Sequence, residues 1–392
     1  MYNIIHKNII PFCSFRPIVL FFPFLVFSFS LIDPKKKKMN TNLTNIFVFW
    51  FLRHTIYPKN CLKNVVLKIY WLFQLNSSIH MNFTQQQLYI RDRKYILYVA
   101  FHPNLPLLVF CASDCTTTFY DLTTPSITEQ YCMEDHTDYV RAAAFHCTLP
   151  ILATGSYDTT TIIYDMNTNP PIIKHHLKHH TQNVINVVFH PYLALLATSS
   201  VDCSVIFYEI STTSAIIRYQ LQHHCLYVDW LTFHPSLPLV VTCSYEDDSS
   251  IIIYDVAALS PTTKYRLQHH TKHVKCIDFH LSLCLMATCS EDNSTILYNN
   301  ITTDTPTIHC RLQHHTDTVF CVAFHQTLSW LVTCSADTTV IVYNIAVAVP
   351  VVIHNIQNHV GTVVFIAFHA TLSLLVSGST DGKTILYNLN NL

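Results

Sequence analysis

The sequence predicts an all-β fold, a seven-bladed β-propeller of four-stranded antiparallel blades closed by an N-terminal strand. Two observations predict it. A four-part motif recurs seven times at a spacing of about 45 residues. The segments between its fixed positions are short, apolar and rich in Thr and Ile, which favours strands over helices. Apolar spacing of about 3.6 residues, which helical repeats of this length require, is absent.

The motif has fixed points that can be read along the whole repeat region. Each copy opens with a Phe-His pair, whose histidines are His102, His146, His190, His234, His280, His325 and His369. An apolar run and an aspartate follow, at Asp114, Asp158, Asp202, Asp248, Asp292, Asp337 and Asp381. Six residues after each aspartate stands a tyrosine: Tyr120, Tyr164, Tyr208, Tyr254, Tyr298, Tyr343 and Tyr387. So regular a pattern indicates seven copies of one structural unit.

One unit shows how the pattern becomes strands. Val140–Phe145 and Ile151–Ser156 are two short apolar runs, and Thr160–Tyr164 is a third, entered through a tight turn at Tyr157–Asp158. A fourth run lies between units, as at Ala215–Leu221. Four short strands in each repeat of about 40–45 residues predict one propeller blade per unit.

The units resemble WD40 repeats, and the resemblance covers residues 82–392. The Gly-His start of the family appears here as His-His or a variant, as in His179-His180 and Asp135-His136. Its closing Trp-Asp appears as Tyr-Asp, Tyr-Glu or Tyr-Asn, as in Tyr164-Asp165. The resemblance implies a rigid ring that binds other proteins, with no catalytic residues, no metal and no cofactor.

The resemblance also implies a buried hydrogen-bonded tetrad in each blade. The tetrads of three blades are expected at His136, Ser156, Asp158 and Tyr164; at His180, Ser200, Asp202 and Tyr208; and at His315, Ser335, Asp337 and Tyr343. Tyrosine can stand for the usual tryptophan because it joins a flat apolar body to a polar tip. The first unit departs from the pattern, with Asp92 for the histidine and Ala112 for the serine, and the fourth is longer by two residues at Glu246–Asp248.

Ring closure is predicted to use the N-terminal side of the repeats. The last unit ends at Tyr387-Asn388, shortly before Leu392, so its blade lacks a fourth strand. The segment Asn82–Ile90 precedes the first unit and can supply that strand, which would remove exposed edges.

Residues 1–80 form a different segment, hydrophobic and basic, and residues 81–392 form the propeller domain. Residues 1–80 hold ten Lys and Arg but one acid, Asp33. Three interpretations remain open for them: a membrane anchor through Ile18–Ile32, a cleaved signal peptide, or upstream sequence before a true start at Met81. The expected location is cytoplasmic, with membrane association as the alternative.

Charge and motifs restrict the function. The excess of acids in residues 81–392 disfavours nucleic-acid binding. Phosphate loops, HExxH and nucleophile elbows are absent from the sequence. The 25 histidines recur at repeat positions, which favours structural roles over a metal site, and the 15 cysteines form no CxxC pair, which favours reduced thiols. A hydrolase in the central channel is the least favoured alternative.

The expected function is a monomeric scaffold that binds proteins or peptides on its top face, and a membrane-tethered adaptor in vesicle trafficking is the alternative. Two positions in each blade are expected on that face. One precedes the turn aspartate: Tyr157, Val201, Asp247, Glu291, Ala336 and Thr380. The other precedes the first strand: Tyr139, Asn183, Tyr227, His273, Thr318 and Thr362. Tyr139, Tyr157 and the nearby Arg141 form the expected contact patch, with Tyr227 on the far side of the next blade, because Tyr and Arg are favoured in binding hot spots.

Overall fold

The computed structural model describes residues 84–89, 95–123, 127–222, 224, 226–245, 249–257, 260–299, 301 and 305–389. Within these ranges all the regular secondary structure is β-strand, and the strands form seven four-stranded antiparallel sheets. This confirms the predicted all-β fold of seven blades. The expectations for residues 1–80, Asp92, Asp247 and Asp248 fall outside the described residues.

The strands follow one another in regular order. The first is β1 (Thr84–Tyr89). Blade 1 comprises β2 (Ile96–Phe101), β3 (Leu107–Ala112), β4 (Thr117–Asp121) and β5 (Thr128–Met133); blade 2 comprises β6 (Val140–Phe145), β7 (Ile151–Ser156), β8 (Thr161–Asp165) and β9 (Ile172–Leu177). Blade 3 comprises β10 (Val184–Phe189), β11 (Leu195–Ser200), β12 (Val205–Ile210) and β13 (Ala215–Leu221); blade 4 comprises β14 (Val228–Phe233), β15 (Leu239–Ser244), β16 (Ile251–Asp255) and β17 (Thr262–Leu267).

The remaining blades repeat this arrangement. Blade 5 comprises β18 (Val274–Phe279), β19 (Met286–Ser290), β20 (Thr295–Asn299) and β21 (Thr307–Leu312). Blade 6 comprises β22 (Val319–Phe324), β23 (Trp330–Ser335), β24 (Val340–Asn344) and β25 (Val351–Ile356). Blade 7 comprises β26 (Val363–Phe368), β27 (Leu374–Ser379) and β28 (Lys383–Asn388), and β1 pairs antiparallel with β28, with Gln86 opposite Leu386.

Burial changes across each blade, and the sequence explains the change. The second strand, such as β7, is buried along its whole length because both of its faces contact neighbouring blades. Its run of Ile, Leu, Ala and Thr suits that position. The fourth strand, such as β9, is mostly exposed at its start and buried only at its last residue. The hydrophobic core therefore lies between the blades, around their inner strands.

The Phe-His pairs join neighbouring blades. Each described histidine ring packs on the phenylalanine of the next blade, from His102 on Phe145 at 4.9 Å to His280 on Phe324 at 5.4 Å, and His369 on Phe101 at 5.2 Å completes the circle. We call these seven contacts the Phe-His ring.

Hydrogen bonds fix the tautomer of these histidines. The Nδ1 atom of His146 accepts from the backbone N–H groups of Thr148 and Leu149, at 3.1 and 3.0 Å. Its Nε2–H therefore donates to the carbonyl oxygen of Leu193 in the next blade, at 3.2 Å. A ring with both bonds must stay neutral, and burial lowers the pKa of His146 accordingly.

The tetrads have a different hydroxyl from the one that the sequence analysis expects. In blade 2, Nδ1 of His136 lies 2.9 Å from Oδ2 of Asp158, and its Nε2 lies 2.8 Å from the hydroxyl of Thr154. Ser156 instead donates to the carbonyl of Asp138 and accepts from the N–H of Asp158. The serine therefore stabilises the turn, while the threonine two residues earlier, on the same face of β7, contacts the histidine.

Other blades repeat this geometry. His180 contacts Asp202 at 2.9 Å and the hydroxyl of Thr198 at 2.7 Å. The corresponding His315 distances, to Asp337 and Thr333, are also 2.9 and 2.7 Å. The positions of Ser200 and Ser335 match that of Ser156, because each accepts from the N–H of its turn aspartate. The three tyrosines, Tyr164, Tyr208 and Tyr343, are fully buried.

Candidate functional site

The two predicted top-face positions of a blade lie side by side. The backbone N–H of Tyr157 donates to the carbonyl of Tyr139 at 2.9 Å, and the N–H of Val201 donates to Asn183 at the same distance. The same backbone hydrogen bond, from the N–H of the first residue to the carbonyl of the second, joins Glu291 to His273, Ala336 to Thr318 and Thr380 to Thr362. These bonds join the loop that enters the blade to the turn between its second and third strands, so both segments lie at one end of the ring. We call this end the top face.

Blade 4 requires a correction. The sequence analysis places Asp247 beside Tyr227, counting back from Asp248, but the residue whose N–H donates to the Tyr227 carbonyl is Tyr245, at 3.1 Å. Counting forward from Ser244, which corresponds to Ser156 of blade 2, would have identified this tyrosine.

Four tyrosines form two stacked pairs on the top face. The rings of Tyr139 and Tyr157 lie 5.8 Å apart with 29° between their planes. Those of Tyr227 and Tyr245 lie 4.9 Å apart at 12°. Tyr139 and Tyr245 are each 44% exposed, which leaves aromatic area for a partner. We call these four residues the tyrosine pairs. The matching positions of blades 6 and 7 are Thr318, Ala336, Thr362 and Thr380, so one side of the face is aromatic and the other is not.

A charged cluster lies beside the second tyrosine pair. Nζ of Lys275 lies 2.8 Å from Oε1 of Glu291 and donates to Nδ1 of His273 at 2.9 Å. Nε2–H of His273 then faces Oδ2 of Asp229 at 3.3 Å, and its ring packs edge-on against Tyr245 at 4.5 Å. The sequence analysis selected His273 and Glu291 but missed Asp229 and Lys275, which contact them from the neighbouring first strands.

Electrostatics sets the charge of this cluster. Burial and the adjacent Lys275 lower the pKa of His273 against the opposing effect of Asp229 and Glu291. Burial alone would raise the pKa of Glu291, but Lys275 and His273 outweigh it and lower that pKa. The lowered pKa of His273 favours the neutral imidazole, and the lowered pKa of Glu291 favours the ionised carboxylate. Burial and the charge of Asp229 raise the pKa of Tyr227 to about 12, so its phenol stays protonated.

The top face opens into a central cavity of about 810 Å³, which is lined mainly by the first strands of the blades. Arg141 lines the cavity at its mouth, with Nη1 3.4 Å from the carbonyl of Leu97. Deeper in the channel, Tyr98 of blade 1 faces Trp230 of blade 4 with ring centroids 6.3 Å apart. The two aromatic side chains therefore narrow the central channel at this depth.

Asp278 and Asp229 both line the cavity, and Asp278 is the more deeply buried of the two. Oδ2 of Asp278 accepts the N–H of Phe324 at 2.7 Å, and burial raises the pKa of Asp278 to about 7. Among the described residues, no group of three or more His, Cys, Asp or Glu side chains has the arrangement of a metal site. No helix in the described ranges is long and apolar enough to span a membrane.

Comparison with known families explains the repeat. A family model described as "WD domain, G-beta repeat" matches residues 127–165, 172–209, 216–255, 261–299, 307–344 and 350–388. The chain belongs to the WD40-repeat family. No curated protein matches the chain as a whole. Each matched WD40 segment begins near the fourth strand of one blade and ends with the third strand of the next, as residues 127–165 cover β5 to β8. Sequence repeats and structural blades are therefore offset by one strand.

Proposed function

We propose that this propeller binds a segment of a partner protein on the aromatic side of its top face, across the tyrosine pairs and Arg141. WD40 propellers are generally protein-interaction scaffolds and generally lack enzymatic activity. The single observation that supports the proposal most strongly is the concentration of half-exposed aromatic rings at one side of the channel mouth. Stacked tyrosines offer large contact area with little loss of side-chain entropy on binding.

Pre-organisation supports this choice of surface. The ring of Tyr157 is held by Tyr139, and Tyr245 is held between Tyr227 and His273. Lys275 also lies over the Tyr245 ring, with Nζ 5.6 Å from its centroid. A partner therefore meets rings whose orientation is already fixed, which lowers the entropic cost of association.

The proposal is tested by affinity purification of the full chain from native cells with quantitative mass spectrometry. The test variant combines Tyr139→Ala, Arg141→Ala and Tyr157→Ala. The matched control combines Thr318→Ala, Thr362→Ala and Thr380→Ala at the same positions of blades 6 and 7. Thermal unfolding of all three proteins verifies that they are folded. We expect a set of partners that the wild type and the threonine variant retain and the tyrosine variant loses. Equal recovery by both variants would show that the partner binds elsewhere.

A further inference from the structure

The outer strand of blade 6 differs in charge from the outer strands of blades 1 to 5. A fourth strand pairs on one side only, so its other side presents unpaired backbone groups to which another strand could add. Proteins usually protect such edges with charged side chains. Blades 1 to 5 follow this rule through Glu129, Lys174, Arg218, Lys264 with Arg266, and Arg311. β25, with the sequence VVIHNI, has no charged side chain.

The surroundings of β25 are apolar as well. Val347 and Val349, in the loop before the strand, are 43% and 72% exposed, and Val351 and Val352 are 48% and 39% exposed. The sequence contains no Lys, Arg, Asp or Glu from Thr338 to Thr380. An edge strand of exposed β-branched residues without charge is the kind of element that pairs with another strand. The exposed edge of β25 is therefore suited to pairing with a strand of another molecule.

We infer that β25 pairs antiparallel with β25 of a second copy of this chain, joining two propellers edge to edge. An isologous pairing brings identical residues near one another, so a charged strand would place like charges across the interface. Self-pairing of β9, β13, β17 or β21 would bring Lys or Arg together in this way, whereas β25 meets no such repulsion. The exposed valines of both copies then bury one another. This inference departs from the monomer that the sequence analysis expects, and it does not depend on top-face binding.

The test compares two equivalent positions by sedimentation velocity on the full chain. Val352 lies opposite Tyr343 in blade 6, as Ile173 lies opposite Tyr164 in blade 2, and the two residues are 39% and 45% exposed. Val352→Lys places an ammonium at the proposed interface, and Ile173→Lys places the same group on an edge that already carries Lys174. Thermal unfolding verifies that both variants fold.

We expect the wild type and Ile173→Lys to show a concentration-dependent dimer, and Val352→Lys to dissociate at least tenfold more readily. Hydrogen exchange should slow at the amides of Val351–Ile356 as the dimer forms. A wild type that stays monomeric up to about 100 μM, or a dimer that persists unchanged in Val352→Lys, would overturn the inference. In the first case the edge would be open to a strand of a different protein.

Discussion

At the scale of single residues, the turn after each described aspartate requires an unusual backbone conformation. The next residue has a positive φ in each of these turns, with Thr159 and Thr338 both at 72° and Gly382 at 78°. Left-handed backbone is strained for L-residues, and most of all for β-branched ones. Blade 7 avoids the strain with glycine and blade 5 reduces it with Asn293, whereas blades 2 and 6 retain threonine.

Thr338→Asn should therefore increase the free energy of unfolding by about 0.5–1 kcal/mol, because asparagine tolerates left-handed backbone better than threonine. Urea denaturation measures the change. The reverse substitution in blade 5, Asn293→Thr, serves as the control and should destabilise. A Thr338→Asn protein no more stable than wild type would mean that the turn relaxes without strain.

The half-buried turn aspartates pair with more than one group. Burial alone would raise the pKa of Asp202, but hydrogen bonds from His180, Ser204 and Thr181 outweigh it and hold the pKa well below its ordinary value. The N–H of Thr181 donates to Oδ2 at 3.0 Å, and Ser204 donates to Oδ1 through both its N–H and its hydroxyl. Removal of this carboxylate leaves several donors without an acceptor.

Asp202→Ala should accordingly lower the free energy of unfolding by about 1–3 kcal/mol. Glu209→Ala, which removes an exposed carboxylate from the same blade, is the matched control and should change it little. Denaturant titration of both proteins at pH 7 gives the comparison. Identical unfolding midpoints would contradict a structural role for the tetrad.

At the scale of the strand, β18 places one carboxyl where water is restricted. The raised pKa of Asp278, about 7, means that between its ordinary pKa and pH 7 the folded protein binds a proton that the unfolded chain releases. This contribution to stability is present at low pH and is lost as the pH rises through 7. Above that pH the ionised carboxylate opposes folding.

Asp278→Asn keeps an oxygen that can accept the Phe324 amide and removes the ionisation. We expect it to stabilise the protein by about 2–3 kcal/mol more at pH 8 than at pH 5. Urea denaturation at the two values measures the difference. An equal effect at both would show that Asp278 is ionised throughout and solvated by channel water.

Much of the fold can be predicted from the sequence because its repeating residues have repeated contacts. The Phe-His pair recurs because each histidine contacts the phenylalanine of the next blade. The number of residues between successive pairs is therefore the length of one blade. The tetrad hydroxyl could not be chosen in this way. Thr154 and Ser156 lie two residues apart on one face of β7, and both are buried hydroxyls. Tyr245 was missed because the position was counted back from Asp248 and not forward from Ser244, and the backbone bond to Tyr227 decides between the two counts.

At the scale of the whole molecule, the Phe-His ring makes folding sensitive to acid. Burial lowers the pKa of the histidines in all seven pairs, and that of His234 falls to about 4. Because these folded values lie below the unfolded value of about 6.5, the unfolded chain binds protons that the folded ring excludes. The stabilisation is therefore complete above pH 6.5 and decreases as the pH falls toward 4.

His234→Asn removes one proton-binding group from the unfolded chain. The slope of the unfolding free energy against pH, between pH 6.5 and 4.5, should therefore decrease by up to about 1.4 kcal/mol per pH unit. His309→Asn, at an exposed position of β21, is the control and should leave the slope unchanged. Urea denaturation across this range measures both slopes. The same slope in the two variants would mean that His234 titrates normally in the folded protein.

The pairing of β1 with β28 also affects how the protein is made on the ribosome. During synthesis the strands of blades 1 to 6 emerge consecutively, and each of these blades can form as soon as its own four strands have left the exit tunnel. β1 emerges before all of them and waits for its partner β28, which follows blade 6 in the chain. A nascent chain therefore carries an unpaired strand throughout elongation. Chaperones that shield such strands would aid the final step more than the formation of any single blade.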